Sequence, residues 1–300
     1  MLDAVSLNQL RIFIATVEEG SFSAAGRRLS RAQSLISESI GNLEAQLGVA
    51  LFNRSGRYPR LTEEGSALLS DARAVIARLD GMKARAKDMA AGIEAELSAA
   101  ADVFVPIEVI AAAATDFPKS FPKTPLRLYV EAMGGPAQLV MDSRASFGII
   151  GSLPTLPPGL IAESLCTLNF VMVASSDHPL ARIKGLITKD VLSRHVQLVL
   201  TDRTELSAGS DFGVMSPLTW RIADLFAKHA LLLAGLGWGG MPRHVIKSDL
   251  AARRLIELRI ENEPSDGYQI PMSAIYRTSN PPGPASRWMI EHLKLRLGKR

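Results

Sequence analysis

Cysteine is nearly absent from this chain, which holds one, Cys166, in 300 residues. A single thiol builds no intramolecular disulfide and no thiolate zinc cluster, and it reads first as packing rather than as a nucleophile or oxidation sensor. Long apolar runs are missing too. The most apolar stretches, Ala230 to Gly237 among them, are short or broken by glycine, proline or charge, so none reads as a membrane span. Met1 to Arg11 carries Asp3 and lacks a continuous apolar core, so no secretory leader is read there and a cytoplasmic location is expected. The five histidines never pair at helical ligand spacing, and no G-x-S-x-G elbow, P-loop or acid–base carboxylate pair stands out. The expectation is therefore no enzyme, no metal and no cofactor.

One motif needs a separate reading. Gly235-x-Gly237-x-x-Gly240 formally matches a dinucleotide fingerprint, which requires a strand before it and a helix after it. Here a helical pattern precedes it and Pro242 discourages a helix beyond, so it reads as a helix end and turn.

What is present describes a globular chain able to bury sizeable cores: 47% hydrophobic, 21% charged and 6% aromatic residues, in a length that suits about two domains. The net charge of +4 says little about partners. Residues 1–65 are neutral, with seven arginines against seven acidic residues. The arginines cluster, however, as Arg27, Arg28 and Arg31 and as Arg54, Arg57 and Arg60, and local clustering is what a phosphate backbone feels.

The first 65 residues read as a small helical unit ending in a hairpin. Leu7, Leu10, Phe13, Ile14 and Val17 recur at helical spacing, Gly20 stops that helix, and Ser21 caps a short second one over 22–29. Ser30 and Gln33 fit the S-x-x-Q capping box of a third helix, in which Ile36, Ile40, Leu43 and Leu47 form a buried stripe. Gln33, Ser34, Ser37 and Glu38 take the opposite face at its start. Gly48 ends it, and residues 51–62 read as a β-wing with Arg54 and Arg57 at or beside the tip.

Beyond Thr62, Leu68, Ala72, Val75, Leu79, Met82, Ala86, Met89 and Ile93 alternate at spacings of four and three. That heptad period predicts a linker helix over 66–93 that pairs with a second copy through Leu68, Val75, Leu79 and Met82, rather than lying on its own domain. Residues 94–300 change in texture. Leu126–Val130, Phe147–Ile150, Phe170–Ala174 and Val196–Leu200 read as buried strands; Pro136–Asp142, Trp220–Ala234 and Ala285–Leu297 read as helices. Alternation of the two argues an α/β domain with mostly parallel sheets.

Two helices joined by a tight turn, the second with a polar face, have the geometry of a helix-turn-helix DNA reader. An amide such as Gln33 can bond adenine bidentately, Ser34 and Ser37 can serve bases or phosphate, and Arg28, Arg31, Arg54 and Arg57 can neutralise phosphates. By pattern alone, a three-helix bundle with a solvated face fits as well.

The run from Ser21 to Gly65, SFSAAGRRLSRAQSLISESIGNLEAQLGVALFNRSGRYPRLTEEG, resembles the signature of LysR-type transcriptional regulators. The matching pieces are S-F-S-A-A, Q-S-x-x-S-x-x-I-x-x-L-E, L-G-x-x-L-F-x-R and L-T-x-x-G, and a looser likeness continues to the end of the chain. The resemblance implies a winged helix-turn-helix over 1–65, a dimerising linker helix over 66–93, and an α/β effector domain over 94–300. That domain would have two lobes like periplasmic binding proteins, lobe I at about 94–163 and 268–300 and lobe II at about 164–267. Implied partners are double-stranded DNA, a small-molecule effector in the inter-lobe cleft, further copies of the chain up to a tetramer, and RNA polymerase; no membrane is implied.

Base-contact roles carry over to Gln33, Ser34 and Ser37. Glu38 stands where the family often has a basic or amide side chain, and a glutamate there can accept from cytosine N4. Gly26 replaces a more usual alanine, at an expected cost to the second helix of up to about 1 kcal/mol. For the effector, matching loop positions point to Asp102, Val103, Met133, Gly151, Ser152, Thr201 and Asp202. Two other readings stay in view: an enzyme or solute-binding protein built on the α/β domain, and a sequence-nonspecific DNA packager. The first lacks a nucleophile–base set and a leader, and a neutral reader domain suits the second poorly.

Overall fold

Ser6 opens the first helix with a reciprocal cap: its Oγ accepts from the Gln9 N–H at 3.2 Å while Gln9 Oε1 accepts from the Ser6 N–H at 2.7 Å. The computed structural model in which this is seen describes residues 5–53, 59–153, 155–208 and 212–298, with Arg85 described by its backbone alone. The chain divides into two units, Met1–Ala90 and Ala91–Arg300.

In the first unit, helix α1 (Leu7–Glu19) ends at Gly20 in the left-handed conformation, and Ser21 caps α2 (Phe22–Arg28) by accepting from the Ala24 N–H. The capping box expected at Ser30 is not there. Ser30 adopts a φ of 54° and closes α2 instead, its N–H bonding the Arg27 carbonyl and the Arg31 N–H bonding the Gly26 carbonyl. Helix α3 (Gln33–Leu47) consequently starts after Ala32 with no side-chain cap. The turn closes directly over Gly26, where a Cβ would stand 2.7 Å from the Arg31 carbonyl oxygen. Glycine here is a condition of this tight turn as well as a loss in helix propensity.

Strands β1 (Phe52–Asn53) and β2 (Arg60–Leu61) pair antiparallel as the base of the wing. Glu44 of α3 anchors that base, one carboxylate oxygen accepting from the Leu51 and Phe52 N–H groups at 2.8 and 3.1 Å. Ile12, Phe13, Ala25, Ile36, Ile40, Leu43, Leu51 and Phe52 fill the core, with Phe13 and Phe22 set edge-on against Phe52.

Helix α4 (Glu63–Ala90) starts and stops three residues earlier than 66–93, leaving Ile93 outside it. Its first turns lie on the unit's own core: Ala72 is buried there and Leu68 and Leu69 pack against it. Ion pairs from Arg73 to Glu18 and from Arg11 to Asp80 hold it along α1. Part of the heptad seam is thus used within the chain, because those apolar positions also complete the reader's core. Farther along, Val75, Met82 and Met89 are about half exposed, at 46%, 55% and 55%.

The second unit opens with β3 (Leu97–Asp102), α5 (Ile107–Ser120), β4 (Leu126–Glu131), α6 (Gly135–Met141) and β5 (Phe147–Ile150). Strand β6 (Leu160–Ser175) follows, then α7 (Lys189–Leu192), β7 (Gln197–Leu200), β8 (Thr219–Ile222), α8 (Leu225–Leu233), β9 (Trp238–Pro242) and α9 (Lys247–Ala251). Strands β10 (Leu255–Glu257) and β11 (Tyr268–Arg277) and helix α10 (Pro284–Leu297) complete it.

The strand order is β4-β3-β5-β11-β6-β9-β7-β8, with β10 paired to β6. Strands β3, β4 and β5 are parallel, as are β7, β8 and β9, giving one α/β lobe at each end. Between them runs an antiparallel ribbon of β6 and β11, paired from Leu160↔Arg277 to Phe170↔Tyr268. One end of the ribbon bonds β5 and the other end of β6 bonds β9, so two long strands cross from lobe to lobe. Phe170–Ala174 is therefore the end of a 16-residue strand rather than a short strand of its own. The helix expected over Trp220–Ala234 is also corrected. Residues 219–222 pair with β7 as β8, and the helix begins only after Asp224, whose Oδ1 caps it by accepting from the Ala227 N–H. Among the described residues no helix is long and apolar enough to cross a membrane.

Candidate nucleic-acid interface and effector cavity

Helix α3 presents two opposite faces. Ile36, Ile40 and Leu43 are fully buried, while Gln33, Ser34 and Glu38 are exposed at the amino-terminal end and Ser37 is half-buried beside them. Burial of one stripe fixes the helix's rotation, and so fixes which side chains face solvent. Leu35, which the sequence reading passed over, stands on this same exposed surface at 53% exposure.

The arginines differ in what holds them. Arg28 bonds Glu18 at 2.7 Å and Glu19 at 3.1 Å, and this pairing holds the Glu18 carboxyl below the usual carboxylate range. Its charge is largely spent on α1. Arg27 donates to the Ser23 hydroxyl at 3.0 Å, and Arg31 is exposed in the turn just ahead of α3 with no side-chain partner among the described residues. Arg54 and Arg57 lie outside the described residues.

A cavity of about 690 Å³ opens between the two lobes of the second unit. Loops at the carboxyl ends of parallel strands line one side, as expected for open α/β sheets. Of the loop residues singled out from the sequence, Met133, Gly151 and Ser152 are on the wall. Asp102 is beneath it. Fully buried, its carboxylate accepts from the N–H groups of Phe104, Gly151 and Ser152 and from the Ser152 hydroxyl at 2.5 Å. Burial pushes its carboxyl up and these four donors pull it down. Ser152 Oγ in turn accepts from the Met133 N–H at 2.9 Å, tying the ends of β3, β4 and β5 into one network. Met133 itself has a φ of 53°, a strained backbone at the cavity edge.

Val103 packs into the lobe core, and Thr201 and Asp202 lie on the loop after β7, away from the wall. Asp202 does something else. Its Oδ2 accepts from the Gly134 N–H at 3.1 Å, and Arg203 approaches Glu131 at 3.8 Å, so this loop of one lobe is fastened to the other. A Cβ on Gly134 would meet Thr204 Oγ1 at 2.2 Å and Asp202 Oδ2 at 2.7 Å. Only glycine allows so close an approach.

The rest of the wall was not foreseen. Phe104, Phe170, Met172, Met215 and Tyr268 make it aromatic and sulfur-rich. Gln197 is buried, its amide donating to the Gly213 carbonyl and accepting from the Met215 and Ser216 N–H groups. The Tyr268 hydroxyl donates to Glu263 Oε2 at 2.6 Å. Lys228 of α8, buried at 3% exposure, donates from Nζ to the Gly240 carbonyl at 2.7 Å, and burial pulls its pKa down to about 7. No local pattern marks these residues, since each reaches the wall through the lobe packing.

Cys166 is half-buried on β6, off the wall, and burial pushes its thiol up, away from thiolate chemistry. The glycine motif at 235–240 follows α8 and leads into β9, the reverse of a dinucleotide site, with Gly235 left-handed at the helix end.

A winged helix-turn-helix followed by a long helix and by two lobes around a cavity defines a DNA-binding regulator with an effector domain. Residues 7–66 match the bacterial regulatory helix-turn-helix proteins of the lysR family, and residues 90–298 match the LysR substrate binding domain. The chain belongs to the LysR family: it is a DNA-binding transcriptional regulator. Among curated relatives it is 28% identical to the regulator PunR of Escherichia coli over 95% of this chain and 91% of the relative. It is 24% identical to the regulator AceR of Acinetobacter baumannii, over 97% of each. These relatives are transcriptional regulators, not enzymes. Among solved structures, a variant of OxyR from Corynebacterium glutamicum aligns with a TM-score of 0.60 at 22% identity, over 98% of this chain and 93% of that one. The LysR-family regulator CbnR aligns with a TM-score of 0.52 at 25% identity, over 96% of this chain and all of CbnR.

Proposed function

We propose that this regulator reads its operator with the amino-terminal end of α3 set in the major groove, and that an effector held in the inter-lobe cavity governs that binding. The observation that carries the reading is the exposed set Gln33, Ser34 and Glu38 on a helix whose opposite stripe is fully buried. Gln33 bonds an adenine edge, Ser34 and Ser37 bond a base or a phosphate, and Glu38 accepts from a cytosine amine. Leu35 adds an apolar contact suited to a thymine methyl. Arg31 neutralises phosphate, as do Arg54 and Arg57 of the segment between β1 and β2 in the sequence. Arg28 is weaker in that role because Glu18 and Glu19 already hold it.

Two copies pair through the outer part of α4, where Val75, Met82 and Met89 are exposed and Leu79 lies between them. A two-fold dimer then presents two readers to a palindromic site. Tetramers form by pairing of dimers, RNA polymerase is the downstream partner, and the setting is the cytoplasm. Met133, Gly151 and Ser152 meet the effector directly, with Asp102 holding them in place, while Asp202 works by fastening the lobes.

The reading is tested by competition among duplexes that differ at single base pairs. Gln33→Ala is expected to lower discrimination at one position per half-site by about 1–3 kcal/mol, whereas Arg31→Ala weakens all sequences alike. Equal losses of specificity in both variants would remove the assignment. Leu79→Asp is expected to halve the mass in sedimentation if the exposed seam pairs copies, and an unchanged mass contradicts that pairing.

A further inference from the structure

Lys228 is the one cation among the described residues of the cavity wall, and no described carboxylate pairs with it. An ammonium so placed is costly, because burial removes its water and the Gly240 carbonyl supplies one dipole in return. Burial pulls its pKa down, and among the described residues no carboxylate stands against it. A framework lysine would be expected to sit against a carboxylate, as Arg254 sits against the buried Asp249 at 2.6 Å.

We propose that Lys228 is the anchor for the anionic group of the effector, a small monoanion with an apolar body. The rest of the wall fits that shape. Phe104, Phe170, Met172 and Met215 offer aromatic and thioether surface to the body. Two further polar side chains of the wall are occupied: Gln197 by three backbone groups and Tyr268 by Glu263. Glu263, the wall's one described carboxylate, repels an anion and makes no ion pair with Lys228, so the two set the ligand's direction. One cation on the wall selects one negative charge. A bound anion supplies the counter-charge that no described side chain of the wall gives Lys228, and a charge-assisted bond is the strong kind.

This proposal rests on the reading of the inter-lobe cavity as the effector site, and the test separates the two. Anilinonaphthalene sulfonate and phenylnaphthylamine share an apolar body and differ by the sulfonate, and both report binding by fluorescence. With the full-length protein, Lys228→Met is expected to weaken the sulfonate by about ten- to a hundredfold and to leave the neutral probe within about threefold. Lys228→Gln repeats the comparison with a polar neutral side chain, and thermal unfolding of both variants establishes that they are folded. Ala162→Trp, which narrows the cavity from its wall, is expected to weaken both probes. If it weakens both while neither Lys228 variant separates them, the lysine proposal falls and the cavity reading stands. If it affects neither probe, or neither binds, the cavity reading falls and the lysine proposal falls with it.

Discussion

Gln33, Ser34 and Glu38 stand in solvent on a helix whose other face is packed, whereas Asp102 and Lys228 are enclosed among apolar side chains at the inter-lobe cavity. These three side chains of the reader lie outside its core and its caps. Those of the cavity are part of the fold, and of these Asp102 has a full set of partners while Lys228 has one described acceptor for three donors. The comparison teaches where stability and function separate: on the exposed amino-terminal face of α3 they are independent, at Asp102 they coincide, and at Lys228 they oppose each other.

The comparison is broken most severely at Asp102. Asp102→Ala strands three backbone N–H groups and a hydroxyl, and is expected to cost the second unit about 3–5 kcal/mol in urea unfolding. A loss below about 1 kcal/mol would show that the strand-end network is not structural. Next comes the fastening between the lobes. Gly134→Ala drives a methyl against Thr204 and Asp202 and should cost about 1–3 kcal/mol. A neutral result in the same measurement would mean the lobes separate there without strain.

Lys228 supplies the opposite sign. The folded chain sheds its proton near pH 7, pulled down by burial, while the unfolded chain keeps the proton up to about 10.5. Between those limits the unfolded state binds more protons, so this group makes stability rise with pH, by at most about 1.4 kcal/mol per pH unit. Lys228→Met should remove that rise in denaturant titrations of the ligand-free protein between those limits. An identical slope in both proteins would place the lysine in water. Smallest of all, Gln33→Ala should shift unfolding by no more than about 0.5 kcal/mol, although its effect on base discrimination is larger.

The reader's helices were legible because amphipathic periodicity and glycine stops decide them locally. The S-x-x-Q spacing was not enough by itself. It occurs at both Ser6–Gln9 and Ser30–Gln33, and the second fails because α2 needs Ser30 as its left-handed terminator. In the α/β unit three of the parallel strands, β4, β5 and β7, were legible as apolar runs. The ribbon was not, since the first half of β6 alternates buried and exposed residues and β11 contains Pro271. Residues 219–222 were merged into the following helix because four residues show no period of their own.

Of the loop positions taken from the family resemblance, Met133, Gly151 and Ser152 line the cavity, and Asp102 lies beneath them, bonded to Gly151 and Ser152. Lys228 carried no signal, for a lysine on an apolar helix is ordinarily on the solvent side, and its burial is a property of the lobe packing.

The account turns on Gln33 meeting a base edge, which a single atom can test. In a duplex where the adenine it reads is replaced by 7-deazaadenine, the major-groove acceptor at ring position seven is gone and the base pair is otherwise kept. The native protein is expected to lose about tenfold in affinity at that one position, and Gln33→Ala is expected to bind both duplexes equally. The same loss in both proteins, or no loss at any adenine of the operator, would contradict it.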